Sequence, residues 1–233
     1  MKRFWDEARV AESDGAFAIQ LDGRPVRLPG GTVLRVEGQG LAEAIAAEWQ
    51  AAGGARGGEM RPEDVPLTRL VGTAVERIAP DPAPTVEAIA AYGASDLLCY
   101  RAEDPRLAEE QAAAWNPVLD WAALELDAPL RVTAGVMPVA QDPDALAALR
   151  RAVAAKPPIG LSALGVAVPA LGSLVLGLAL AAGRLDAAEA HRLATLDETF
   201  QERFWGEDAE AAARRARIAA DIALARRLMD LAA

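Results

Sequence analysis

Apolar and polar residues alternate in short runs near the start of the chain, a pattern typical of half-buried strands. In the run AFAIQL, the large apolar residues Phe17, Ile19 and Leu21 fall on one face. The pair Asp22-Gly23 that follows tolerates the positive φ of a tight turn. The run RPVRLP then returns, and TVLRVE supplies another alternating segment. These patterns predict an antiparallel hairpin followed by a further strand.

The next segment has helical periodicity. In GLAEAIAAEWQAAGG, Leu41, Ile45 and Trp49 recur every four residues, and the closing glycines predict the end of the helix. The stretch GGARGGEMRPED then combines glycine, charge and proline, which is typical of a linker. We therefore predict a small α+β domain over 1–58, made of antiparallel β-strands plus a helix, and a larger all-α domain over 59–233.

Helical periodicity dominates after this linker. Thr85 is expected to cap one helix, and Pro117 is expected to kink or divide another. LRVTAGVMPV is expected to be extended, and DAAEAHRLATLDETFQERFW is expected to form one helix with Leu193, Leu196, Phe200 and Phe204 on one side. The other predicted helices cover PLTRLVGTAVERIA, PTVEAIAAYGASDLLCYRA, DPRLAEEQAAAWNPVLDWAALEL, DPDALAALRRAVAAK and DAEAAARRARIAADIALARRLMDLAA.

A long tract without charge lies between Lys156 and Arg184. Its length alone would suit a membrane span of about 20 residues. Pro169 is expected to divide the tract into 159–168 and 170–182, neither long enough to span. No tryptophan or tyrosine flanks the tract as an interfacial anchor.

The second half of this tract is apolar on all sides and carries a stripe of small residues. Ser173, Gly177 and Ala181 recur every four residues, which lets another helix approach closely. Such a helix belongs in lipid or at the centre of a large helical domain. We favour the core helix over stable membrane insertion, and a peripheral membrane factor that uses 159–182 remains an alternative.

The net charge of the 233-residue chain is −10, which argues against general binding to nucleic acid or to anionic lipid. Cys99 is the single cysteine, so an intramolecular disulfide is impossible and a reducing compartment fits. The start of the sequence, MKRFWDEARV, has neither an apolar signal core nor the character of a transit peptide. We expect a cytoplasmic protein, or one whose targeting segment has already been removed.

Catalytic equipment is sparse. His191 is the single histidine and falls within a helical pattern, where a solvated residue is more common than a catalytic base. GGARGG lacks the Lys-Ser/Thr ending of a phosphate-binding loop. We expect no cofactor, no metal and no catalytic residue, although the many carboxylates leave a small carboxylate-based hydrolase as the alternative function.

The clearest acidic cluster, WGEDAE, spans 205–210. Its structural interpretation is that Gly206 ends one helix, that Asp208 caps the next and that Glu210 favours the positive end of its dipole. Capping leaves the same acids able to contact a partner. RRAR at 214–217 is interpreted as a solvated stripe with partners four residues away.

The five tryptophans each lie beside acids or arginines, which suits core positions and interface anchors alike. Core packing is the expectation for most of these residues, which are Trp5, Trp49, Trp115, Trp121 and Trp205.

A series of motifs resembles the Atp-twelve family of assembly chaperones. KRFW, LDGRPVRLP, AAEW, PLTRLVGTAVER, SDLLCYRAE, QAAAWNPVLDWA, LGSLVLGLAL and LDETFQERFWGEDAE occur in the order and approximate spacing of that family, over nearly the whole chain. The sequence departs at Asn116, where the family usually has Asp, and at Ser95, where it usually has Thr. Both residues keep a side-chain oxygen that we interpret as a cap.

The resemblance implies a chaperone, not an enzyme, that binds the unassembled alpha subunit of the ATP synthase catalytic head. It also implies a small α+β domain followed by a larger helical one, and a role for C-terminal acids. Carried over to this sequence, these acids are Glu207, Asp208 and Glu210, and we add Trp205 and Glu202 as partner-binding residues. We expect a monomer in the bacterial cytoplasm, or in the mitochondrial matrix if the source is eukaryotic.

Overall fold

The structure is a computed structural model that describes residues 1–13, 15–135, 137–206 and 208–233. The chain divides into two compact units. One comprises Met1–Asp81, Pro158–Ser162 and Arg227–Ala233, and the other comprises Pro82–Pro157 and Ala163–Arg226. The domain boundary expected at residue 58 stays a prediction.

The first unit contains a small antiparallel sheet. Its strands are β1 (Ala8–Ser13), β2 (Ala16–Leu21), β3 (Arg24–Pro25) and β4 (Arg35–Val36), and β2 pairs with all three others.

The turn between β2 and β3 confirms the expected hairpin, because Asp22 and Gly23 have φ values of 47° and 78°. Val10 of β1 lies opposite the buried Ile19 of β2. β1 was not predicted, since ARVAES holds Val10 as its single large apolar residue.

The expected helix follows the sheet as α1 (Gln39–Ala51), and its residues Leu41, Ile45 and Trp49 are buried. α2 (Pro66–Thr73) continues into a π-helical turn over Ala74–Ile78. α1 and the sheet form the antiparallel β plus helix arrangement that the sequence predicts, and α2 lies in the same compact unit.

From residue 82 onward the described chain is largely helical, which confirms the α+β class with a larger helical region. A parallel bridge between β5 (Tyr100–Arg101) and β6 (Thr133–Ala134) is the exception, and 3₁₀ turns cover Ala91–Ser95 and Leu97–Cys99. The helices are α3 (Ala83–Ala90), α4 (Pro105–Glu125), α5 (Pro143–Ala154), α6 (Pro158–Leu171), α7 (Leu174–Ala181), α8 (Ala187–Ala194), α9 (Leu196–Trp205) and α10 (Ala209–Leu231).

The uncharged tract folds as α6 and α7, and the expected break at Pro169 is wrong. Pro169 lies inside the last turn of α6, and the helix ends at Gly172, whose φ of 63° is left-handed. Ser173 then caps α7 by accepting a hydrogen bond from the N–H of Leu176 at 3.0 Å. All residues of α7 from 174 to 180 are buried, so this helix forms a core as predicted.

None of the described helices combines the length and the apolar character that a membrane crossing requires.

Three further local predictions need correction. Thr85 does not cap α3, because Pro82 is the residue that precedes the helix. Pro117 does not divide α4, which runs through it without interruption. The single helix expected over 186–205 is two, since Thr195 interrupts it and its hydroxyl donates to the carbonyl of His191 at 2.9 Å.

Two of the family-like motifs, DLLCYR and LGSLVLGL, meet at Asp96 in the core of the second unit. This fully buried carboxylate accepts hydrogen bonds from Leu98 N at 3.0 Å, from Ser173 Oγ at 2.7 Å and from Val175 N at 3.0 Å. Burial raises the pKa of the Asp96 carboxyl, and these hydrogen bonds oppose the rise. Asp96 thereby fixes a 3₁₀ turn against the start of α7.

The motif WNPVLDW joins the same core through Arg101. Its guanidinium donates to Leu98 O at 2.6 Å and to Asn116 Oδ1 at 2.8 Å, and it lies 5.0 Å above the ring of Trp115. Trp115 in turn donates to the carbonyl of Leu193 at 3.0 Å. Asn116 therefore serves as an acceptor for a buried arginine, and the interpretation of its oxygen as a cap is wrong.

Candidate partner-binding surface

The predicted partner-binding residues lie around the turn that joins α9 to α10. Gly206 ends α9 with a φ of 83°, and its N–H donates to the carbonyl of Glu202 at 2.9 Å. Asp208 Oδ1 accepts from the N–H of Glu210 at 3.1 Å, which caps α10. The expected structural roles of Gly206 and Asp208 are thus confirmed.

Ion pairs join the two helices on either side of this turn. Glu198 of α9 contacts Arg214 of α10 at 2.8 Å, and Glu202 contacts Arg215 at 2.5 Å. The side chains of Arg215 and Glu202 are only 12% and 24% exposed, so water screens this pair less than a surface pair. Arg214 is exposed, as the predicted solvated stripe requires, whereas Arg215 is largely buried. Both arginines pair with acids of α9 instead of acids four residues away on α10.

Two aromatic side chains are displayed at the end of α9. Trp205 is 87% exposed and Phe204 is 56% exposed, whereas Trp5 and Trp115 are fully buried. Phe204 lies on the same side as Phe200, as expected, with the two rings 5.2 Å apart, but it is exposed, and the guanidinium of Arg106 lies 5.2 Å from its ring. A tryptophan this exposed costs solvation free energy that contact with a partner would recover.

A depression of about 300 Å³ lies beside the turn. Glu202, Trp205 and Asp208 line it, so the structure brings three of the predicted residues together. Glu210 is exposed on the first turn of α10 and does not line it. Glu207 lies outside the described residues. The full lining is Glu198, Gln201, Glu202, Trp205, Gly206, Asp208, Ala211, Arg214 and Arg215.

Sequence reasoning missed Glu198, Arg214 and Arg215 as members of this site. The available signal was the spacing: two acids four residues apart on one helix, a glycine turn, and two adjacent arginines on the next helix. That order predicts a helical hairpin with opposite charges facing each other.

The two residue types best suited to nucleophilic or base catalysis, the single cysteine and the single histidine, lie in environments that do not activate them. Cys99 is fully buried, and burial raises the pKa of its thiol to about 12, so the thiol stays protonated. His191 lies on α8, and its buried Nε2 has no hydrogen-bond partner among the described residues. Neither residue has the exposure and the activated partner that a nucleophile or a base requires.

Burial also raises the pKa of two half-buried carboxyls, Glu48 and Asp197. Glu48 accepts from the N–H of Leu67 at 2.8 Å at the start of α2, and Asp197 accepts from the side chain of Gln111 at 2.7 Å. Both carboxyls therefore hold the fold, as Asp96 does. Within the described ranges, no group of three His, Cys, Asp or Glu residues could hold a metal ion.

Comparison with known proteins agrees with the motifs. A sequence model of the family described as ATP12 chaperone protein matches residues 2–123. The curated protein called Protein atp12, mitochondrial, from Schizosaccharomyces pombe is 25% identical over 217 residues, which cover 88% of this chain and 74% of that protein.

Solved structures match over almost the whole chain. Atp12 from Paracoccus denitrificans is 44% identical with a TM-score of 0.92, and the match covers 100% of this chain and 98% of that one. A point mutant of the same Paracoccus protein gives the same values. The Atu1473 protein from Agrobacterium tumefaciens is 39% identical with a TM-score of 0.90, covering 98% of this chain and 85% of that one.

Proposed function

The chain belongs to the ATP12 chaperone family, whose members serve ATP synthase assembly, and from this premise we propose that its client is the unassembled alpha subunit of the F-type enzyme. The chaperone holds that subunit soluble until it pairs with its neighbour in the catalytic head. An isolated ring subunit exposes large apolar interfaces, and a partner that covers one of them prevents aggregation.

The exposure of Trp205 supports the α9–α10 turn as the contact surface, and it is the observation that carries this proposal. The ion pairs of Glu198 and Glu202 with α10 hold the turn in one geometry, so little conformational entropy is lost when a partner binds. The side chains around Trp205 are mostly charged. This mixed character suits an interface of moderate affinity that the beta subunit displaces.

We further propose that the protein acts as a monomer and not as an enzyme. Its proposed location is the bacterial cytoplasm, or the mitochondrial matrix if the source is eukaryotic. The similarity to proteins of Paracoccus and Agrobacterium, which exceeds the similarity to the fission-yeast mitochondrial protein, supports the bacterial alternative.

The test measures binding of the purified chain to tagged alpha subunit. Trp205→Ala should weaken the complex by roughly 2 kcal/mol, about 30-fold, which is the range of an interface hot spot. Charge reversal of Glu207 and Glu210, combined with Asp208→Asn to keep the cap oxygen, should weaken it further. Helix content should not change, because Trp205 is exposed and the cap is kept.

The matched control reverses the charge of Glu37 and Glu125 and replaces Glu63 by glutamine, which gives the same change of net charge at residues that are exposed elsewhere on the chain. This triple variant should bind alpha subunit as the wild type does. Equal binding by the turn variants and the wild type would refute the assignment of this surface. Loss of binding together with loss of helix content would show that the acids stabilise the start of α10 through its dipole, and would contradict their assignment as contact residues.

A further inference from the structure

A second surface, on the first unit, has the features of a binding groove and is not used by the site described above. It encloses about 630 Å³, a volume within the usual range of about 300–1,000 Å³ for ligand sites. Its lining includes the buried apolar residues Leu28, Trp49, Met60 and Val65, and the exposed Pro29.

Two contacts fix the loop after β3 against α2 and thereby shape the groove. A Cβ on Gly72 would lie 3.0 Å from Leu28 Cδ2, so glycine permits the close approach of this loop to the helix. The N–H of Gly30 donates to both carboxylate oxygens of Glu76, at 2.9 and 3.1 Å. The groove is therefore preformed, which lowers the entropic cost of binding.

The rim of the groove is cationic although the chain as a whole has a net charge of −10. Arg27, Arg61, Arg69 and Arg77 line it and are exposed, and Glu76 is the one acid among the lining residues. The carboxylate of Glu76 is already engaged by Gly30.

The spacing of these arginines indicates the kind of occupant. Arg69 and Arg77 are eight residues apart on α2 and its π-helical turn, which corresponds to about 12 Å along a helix axis. A lipid offers a single anionic headgroup to a rim of four arginines and would leave most of that positive charge uncompensated. A peptide that carries carboxylates along its length can contact both.

We propose that this groove binds an acidic amphipathic segment of a polypeptide, with apolar side chains on the floor and carboxylates on the arginine rim. The segment docks as a helix in a groove, with apolar anchors at positions i, i+3, i+4 and i+7. The groove gives the protein a second contact with a folding polypeptide, separate from the α9–α10 turn, and the inference does not depend on the identity of the client.

The test uses fluorescence anisotropy of a labelled peptide of about 16 residues, long enough to form a helix on the surface. The peptide has leucine at the anchor positions and glutamate elsewhere, and its control has lysine in place of glutamate. The variant R69E/R77E should bind the glutamate peptide at least about tenfold more weakly than wild type. R24E/R184E, which makes the same change of net charge at exposed arginines outside the groove, should not.

A third variant, Thr73→Trp, fills the groove without changing charge and should also abolish peptide binding, since Thr73 is an exposed lining residue. Binding of the lysine peptide as tightly as the glutamate peptide would overturn the proposal, as would equal loss in R69E/R77E and R24E/R184E. Capture of the wild type by phosphatidylglycerol vesicles, without competition from the glutamate peptide, would assign the groove to lipid instead. The assay contains no alpha subunit, so its failure leaves the proposed function standing.

Discussion

Replacing Gly177 by alanine is a sharp test of how the uncharged tract is packed. A Cβ at Gly177 would lie 2.5 Å from Val168 Cγ2 of α6 and 3.6 Å from Leu164 Cδ2. Ordinary contacts between carbon atoms are about 3.5–4.0 Å, so the new methyl group would overlap Val168 by about 1 Å. Val168 is buried and β-branched, which limits its ability to move.

Two opposing contributions to the free energy of unfolding decide the outcome: the cost of overpacking the core and the gain in helix propensity. Overpacking of a core costs about 1–3 kcal/mol, while alanine gains about 1 kcal/mol over glycine inside a helix. Because the overlap of about 1 Å is with a buried β-branched side chain, we take the upper part of the overpacking range, about 2–3 kcal/mol, and expect Gly177→Ala to lower the free energy of unfolding by about 1–2 kcal/mol. Gly165→Ala in α6 is the matched control, because a Cβ there has no heavy atom within 4 Å. It should raise the free energy of unfolding by up to about 1 kcal/mol.

Urea unfolding, followed by circular dichroism and by tryptophan fluorescence, measures both changes. The buried Trp115 reports on the core of the second unit. The midpoint should fall for Gly177→Ala and rise for Gly165→Ala at unchanged m-value. A rise for both variants would refute the close approach of α7 to α6, and with it the packing that hides this tract.

Four further predictions concern the core of the second unit and use the same unfolding assay or a thiol reagent. Asp96→Ala leaves three buried donors unpaired and should cost about 3 kcal/mol or more. Burial raises the pKa of Asp96, so the stability of the wild type relative to Asp96→Asn should fall as the pH rises above the ordinary value of 3.8; a flat difference would contradict this. Asn116→Ala removes the acceptor of Arg101 and should cost about 1–3 kcal/mol, whereas Asn116→Asp should cost less. Cys99 should resist iodoacetamide in the native protein and react after unfolding, and rapid native labelling would contradict its burial.

The sequence predicts some elements because their cause is local. The turn at Asp22-Gly23 depends on which residues tolerate positive φ, and the helix through Leu41 and Ile45 depends on periodicity. The uncharged tract was correctly assigned to a core because its second half is apolar on all sides, which suits either lipid or the centre of a helical domain, and because its two halves are too short to span a bilayer. Its internal boundary was predicted wrongly at Pro169. The helix α6 continues past this proline and ends where Gly172 adopts the left-handed conformation that terminates many helices.

Elements set by tertiary contacts could not be predicted in the same way. Thr195 interrupts a segment whose periodicity is continuous, and β1 is a strand because β2 pairs with it. The candidate site shows the same limit. Local pattern identified the cap at Asp208, but the pairing of Glu202 with Arg215 depends on how α9 and α10 face each other.

The most direct test of the central claim is the amount of soluble alpha subunit of the F-type ATP synthase made in cells with and without this chain. Co-expression should increase soluble alpha subunit and yield a complex of the two proteins, and Trp205→Ala should reduce both. Unchanged soluble alpha subunit, with no complex recovered, would contradict the proposal that this chain is its chaperone.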